Sequence, residues 1–264
     1  MTNWKEIDRL AKSWVKEAGQ RIQQSMKEKM TIETKSNPND LVTNIDKETE
    51  RFFIEKIQSV FPDHHILGEE GQGDKLTSLD GIVWIIDPID GTMNFIHQKR
   101  NFAISIGIFE NGKGKIGLIY DVTHDELYHA FQGEGAYMND TKLGKMKEVP
   151  LEESILAINA TWITENRRID PSVLSPLVKR VRGTRSYGSA ALELAYVAAG
   201  RMDVYVTMRL APWDYAAGCI LLDEVGGTYT TIDGKPLNFL ENHSIVAGNP
   251  AAHRAIFNEY LPHE

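Results

Sequence analysis

Trp4, Ile7, Leu10, Ala11, Trp14, Ala18, Ile22 and Met26 recur at spacings of three and four, the stripe of one long amphipathic helix whose other face is wet. A polar stretch containing Pro38 breaks the pattern. A second helix is predicted from about Ile45 to Val60, with Phe52, Phe53, Ile57 and Val60 on its apolar side and Pro62 behind it. The texture then changes. "GIVWII", Gly81 to Ile86, is short and rich in β-branched residues, as a buried strand is. "FAISIGIF" and "KIGLIYD", joined through Glu110-Asn111-Gly112, read as a hairpin with an Asn-Gly turn, and β character continues to about Met138.

Residues 139–153 are polar and irregular, and they mark the boundary between an N-terminal portion, 1–150, and a C-terminal portion, 151–264. The second portion alternates strands ("ILAINA", "MDVYVT", "GGTYTT", "SIVAGNP") with helices. One begins at Pro171, one is closed by Gly200, one ends in Gly226-Gly227 and one is terminal. There is no internal repeat.

Composition narrows the class. The 264 residues are 42% hydrophobic, enough for a large core in one or two closely joined domains. With 37 acidic against 29 basic residues the formal charge is -8, and no basic run stands out, so DNA and RNA are not expected partners. No apolar run reaches 18 residues, and the N-terminus lacks the apolar core of a signal peptide, so a membrane is not expected either. The single cysteine, Cys219, fits a reducing cytoplasm.

The chemistry gathers in "WIIDPIDGTMNF". Asp87 and Asp90 follow the strand, where Pro88 lacks a ladder donor and disfavours helix at Asp87. Gly91 permits unusual angles, and Thr92, Met93 and Asn94 are placed to open a short helix whose free amides attract an anion. Taken alone, the two acids are equally an ordinary turn with a helix cap. Upstream, Glu69 and Glu70 stand between Gly68 and Gly71, where a solvated acidic turn is the plain alternative. Far downstream, Asp214 follows Trp213 at a helix start, an N-cap position.

Brought together, these acids repel by roughly 4 kcal/mol per pair at ~4 Å and an effective dielectric of ~20. A cation would offset that. Carboxylates without His or Cys at ligand spacing suit magnesium, or manganese, better than zinc, and an acidic metal pocket beside a Gly-Thr helix start is a phosphate site. His64, His65 and His124 lack zinc-type partners and read as surface or turn residues, and no glycine-rich nucleotide loop is present.

"DPIDGTMNF", preceded by "GEE" and followed by "WDYAAG", resembles the inositol monophosphatase family of magnesium-dependent, lithium-sensitive phosphatases, over about Trp4 to Tyr260. The resemblance implies an α/β fold, layered α+β, with alternating helix and sheet layers like those of fructose-1,6-bisphosphatase. The site would lie between the two portions, in a homodimer. It also implies that Glu69, Glu70 (through water), Asp87, the carbonyl of Ile89, Asp90 and Asp214 hold two or three magnesium ions. Thr92 and Glu69 would activate the attacking water, and Asp46 would hold Thr92. Asp46 also completes a Thr43-x-x-Asp46 capping box, and both roles are compatible. Gly91 and Thr92 amides would hold the phosphate. Arg185, Gly188, Ser189 and Ala190 match positions that touch substrate or the subunit contact.

Substrate choice is less constrained. Inositol-preferring members often carry glutamate where this chain has Thr207, and Arg209 nearby is either a surface arginine or a cation for a second phosphate. Met93 replaces a common small hydroxyl residue. The expected substrate is inositol 1-phosphate or a related sugar phosphate. The same chemistry on NADP(H), fructose 1,6-bisphosphate or a 3'-phosphonucleotide is the alternative, and a regulatory binding protein is a further one.

Overall fold

The computed structural model describes residues 2–27, 30–35 and 41–261, so the break at Pro38 lies outside the described residues. The predicted first helix is α1 (Trp4–Ser25), with the Asn3 side chain accepting from the Glu6 amide at its start. Strands β1 (Ile32–Thr34) and β2 (Leu41–Thr43) pair antiparallel, and Thr43 caps α2 (Asn44–Val60). Then come β3 (His65–Gly68), β4 (Ile82–Asp90), the short helix α3 (Thr92–Gln98), β5 (Ala103–Glu110), β6 (Lys113–Asp121), β7 (Glu126–Phe131), β8 (Gly135–Met138) and β9 (Thr141–Lys142). The second half runs β10 (Ile155–Ile158), α4 (Pro171–Arg180), β11 (Gly183–Arg185), α5 (Ala190–Ala198), β12 (Val204–Leu210), α6 (Pro212–Val225), β13 (Thr228–Thr230), β14 (His243–Gly248) and α7 (Pro250–Glu259).

Strands β3 to β9 form a seven-stranded sheet in sequence order, antiparallel except for the parallel β3–β4 pair. A five-stranded sheet has the order β11-β10-β12-β14-β13. Alternation along the strands explains the layering. In β4, Trp84 and Ile86 face a core with Ile7, Trp14 and Phe53 of α1 and α2, while Val83 and Ile85 face a second core with Leu192 and Leu221 of α5 and α6. Tyr205 and Ile245 of the smaller sheet join that second core, and Val204, Val206 and Val246 point the other way onto Leu174 and Ile256 of α4 and α7. Helix and sheet layers therefore alternate through the molecule.

One feature departs from the sequence reading. Strand β4 does not end at Ile86 but runs to Asp90, with a register shift between Asp87 and Asp90. The ladder skips Pro88, which has no amide to donate, and resumes where Asp90 pairs with Ala103. Of the two readings of His64, surface or turn, the turn holds: its amide bonds the Phe61 carbonyl at 3.1 Å, and its half-buried ring stacks on Phe61 and takes the Trp84 indole N–H at 3.0 Å. The hairpin fits as expected, since Asn111 and Gly112 both have the positive φ that a two-residue turn matching strand twist requires.

Candidate active site

The bulge in β4 decides where the acids point. Asp87 is buried and folds back to accept the Ile89 amide at 2.9 Å, and Asp90 is buried three residues on. The turn then falls at Gly91, whose φ of 93° favours glycine and where a Cβ would lie 3.1 Å from the Asn101 carbonyl and 3.2 Å from that of Gly188. Thr92 opens α3 and has one proton to offer two acceptors, Asp46 Oδ1 at 3.2 Å and the Ile89 carbonyl at 3.0 Å.

Asp46 is held from the other side by Thr43, whose amide and hydroxyl both donate to its Oδ2, so the capping box and the Thr92 contact coexist. Asp90 Oδ2 accepts from the Ser189 hydroxyl and, at 2.8 Å, from the Ala191 amide at the start of α5. Asp214 is not the N-cap. Ala211 occupies that position because Pro212 takes the first helical place, and Asp214, third in α6, accepts the Ala211 amide at 2.7 Å. Ser105 ties the same helix start to β5 by donating to the Trp213 carbonyl at 3.1 Å.

Asp87, Asp90 and Asp214 each offer an oxygen within 4.8 Å of the others. Burial pushes all three carboxyls up, and the neighbouring acids, Glu69 prominent among them, push Asp87 and Asp214 further. Asp90 reaches only about 6, because its bonds from Ser189 and Ala191 favour the ionised form. A trio of oxygen donors whose charges destabilise one another fits a hard divalent cation.

Glu69 and Glu70 follow β3, and Lys35 Nζ contacts both, at 2.9 and 2.6 Å. Burial raises Glu70 to about 7 even beside that lysine, and burial lowers the Lys35 ammonium less than the two glutamates raise it. Beneath the turn lies Glu50 of α2, fully buried, accepting the Glu70 and Gln72 amides.

A cavity of about 360 Å³ opens beside the acids, lined by Asp90, Gly188, Ser189, Ala190, Glu193, Tyr205, Thr207 and Asp214 among others. Glu193 accepts the Tyr187 amide at 2.6 Å, and burial lifts its carboxyl to about 7. Tyr205 and Thr207 line the same cavity wall as Glu193. Arg209 is exposed, yet near enough to Asp214 to favour its charge. Arg185 is not brought into the cavity: it is exposed on the edge strand β11, bonded to the Thr184 carbonyl.

Sequence reasoning missed Lys35, Glu50 and Glu193. Glu50 stood one helical turn from Asp46, a spacing that puts both on one face. Glu193 sat as a lone acid in an apolar helix, "SAALELAY". Lys35 carried no signal in its polar surroundings.

Layered sheets, three converging aspartates, two of them buried, and a polar cavity beside them fit a phosphatase, an enzyme that hydrolyses phosphate monoesters, and the family match places the chain in that class. The chain belongs to the inositol monophosphatase family, whose family model matches residues 3–263. It is 78% identical over 261 residues to the inositol-1-monophosphatase of Bacillus subtilis strain 168, covering 99% of this chain and 98% of that protein. Among solved structures, a SaIMPase-II with 2'-AMP bound is 44% identical with a TM-score of 0.90, over 97% of this chain and 94% of that one. An IMPase/NADP phosphatase with Mg2+ and phosphate is 32% identical, also with a TM-score of 0.90, over 97% and 95%.

Proposed function

We propose that this chain is a magnesium-dependent phosphomonoesterase acting on inositol 1-phosphate or a related small sugar phosphate. The observation that carries the reading is the convergence of Asp87, Asp90 and Asp214 on one point, with the Asp46–Thr92 pair and the cavity beside it. Likeness to the Bacillus subtilis enzyme supports the substrate class. Glu69, Glu70, Asp87, the Ile89 carbonyl, Asp90 and Asp214 would hold two or three Mg2+ ions, with Mn2+ as a substitute. Bound magnesium supplies charge that offsets these acids, stabilises the phosphoryl oxygens and makes water easier to deprotonate.

The chain's own groups do the rest. Thr92, held by Asp46, and Glu69 orient the attacking water and take its proton. Gly91 and Thr92 amides steady the phosphate, while Gly188, Ser189 and Ala190 wall the alcohol. In-line attack breaks the P–O bond and releases inorganic phosphate and the alcohol, with no phosphoenzyme. Arg185, away from the cavity, belongs with a subunit contact in a homodimer, and the cytoplasm is the expected compartment.

Thr207 and Arg209 favour a second reading, the same chemistry on NADP(H), fructose 1,6-bisphosphate or a 3'-phosphonucleotide, because a short neutral side chain and a nearby cation suit a bulkier, more anionic ester. Phosphate release from a panel of these esters with Mg2+, repeated with Li+, tests both. A higher kcat/KM for inositol 1-phosphate supports the first reading, and no release from any ester sinks both. A purely regulatory role would be favoured if inactive Asp90→Asn rescued a deletion phenotype.

A further inference from the structure

We infer that Glu50 is the positioning residue of the metal site, the buried anchor that sets the Glu69-Glu70 turn against the helix that holds Thr92. This rests on the metal-site reading above. Glu50 is 0% exposed, and each of its oxygens takes one backbone amide of the turn, Oε2 from Glu70 at 2.7 Å and Oε1 from Gln72 at 2.9 Å. Gln72 completes the clasp by donating its side-chain amide to the Lys47 carbonyl of the same helix at 2.9 Å. Gly68 makes room, since a Cβ there would stand 2.4 Å from Glu50 Oε2.

Asp46 is one turn earlier on α2. One rigid helix thus holds both Thr92, through Asp46, and the Glu69-Glu70 turn, through Glu50, although those groups are far apart in sequence. A buried carboxylate beneath other carboxylates is a poor choice for packing alone. An ionised carboxylate, however, accepts two converging N–H groups, and a backbone turn wrapped around an anion is geometrically stiff. Glutamine has a single oxygen for the two donors and sets an NH2 against the other.

The test is Glu50→Gln in the full chain, with Mg2+ titrated calorimetrically. Groups that orient metal ligands typically change affinity by about 10- to 100-fold, so the Mg2+ Kd should weaken by at least about tenfold. Half-saturating Mg2+ for phosphate release should move in parallel, with substrate KM at saturating Mg2+ within about twofold of the parent. Glu50→Asp, which keeps the charge but is one methylene short, should fall between, and it keeps the test alive if the glutamine variant does not fold. A lowered Tm with unchanged Mg2+ affinity would reduce Glu50 to a structural residue and overturn the inference. No Mg2+ binding by the parent chain would overturn the metal-site reading itself.

Discussion

Two strands of this molecule lose their register just where they reach the cavity, and they do so to different ends. In β4 the shift lies between Asp87 and Asp90, and in β12 it lies between Thr207 and Leu210, the stretch that carries Arg209. Around β4 Asp90 is tied to an amide of α5 and Glu50 to the Glu69-Glu70 turn, while Asp214 accepts the Ala211 amide at the start of its own helix. Around β12 the strand is held by its ladder to β10 and β14 and by the packing of Val204, Tyr205 and Val206 into the cores on its two faces. The proposed chemistry therefore draws on a web of bonds between elements, whereas the proposed selectivity draws on Thr207 and Arg209 of one paired strand.

The comparison is broken most sharply at Asp90. Asp90→Asn should lower phosphate release by about 10³-fold or more, about 4 kcal/mol of barrier, while EDTA-treated protein stays at least as stable to urea, because a buried like charge has gone. Loss of the fold would mean that the web around β4 serves stability before chemistry.

The cavity wall carries its own charge problem. Glu193, normally near 4.5, is lifted by burial to about 7, so the folded state binds its proton more tightly than the unfolded chain does. Its contribution to stability is full below pH 4.5 and is lost as pH rises through 7. Metal-free protein should thus lose about 2 kcal/mol between pH 5 and 8 in urea titrations through this group. Glu193→Gln should flatten that slope, and an unchanged slope would place the effect elsewhere.

Thr207→Glu should sharpen the contrast. It is expected to raise the ratio of kcat/KM for inositol 1-phosphate over NADP(H) by about tenfold, while activity on a small common ester moves by about threefold at most. An equal loss on all substrates would show that β12 is as intolerant as β4.

The smallest effect is expected at Lys35, whose ammonium lies on Glu69 and Glu70, the two glutamates proposed to hold magnesium. Lys35→Gln should lower the half-saturating Mg2+ concentration by about threefold, in line with a partly exposed ion pair. A rise instead would make Lys35 a helper of metal binding rather than its competitor.

Sequence legibility followed the same divide. "DPIDGT", "GEE" and "WDYAAG" were readable as one site through their joint resemblance to the inositol monophosphatase family, whereas proline and glycine beside the acids gave only the turn and the helix start. Even there one local inference failed, since Pro212 moved the cap of α6 to Ala211. Periodicity placed α1, α2 and the β5–β6 hairpin for a similar reason: burial of one face needs only the spacing of side chains along the chain. It did not find the short β1 and β11, which bury no hydrophobic residue and exist because a neighbouring strand offers them a ladder.

By itself, then, the sequence determined the order and type of the main elements and the residue types of an acidic phosphate site, since backbone preference and amphipathic spacing act between neighbours. The tertiary structure alone decided that α2 serves both the Thr92 hydroxyl and the Glu69-Glu70 turn, that Glu193, Tyr205 and Thr207 line one cavity, and that Arg185 is exposed on an edge strand and not part of that lining. Those choices depend on contacts between residues remote along the chain, made only when packing of the sheets and helices brings them together.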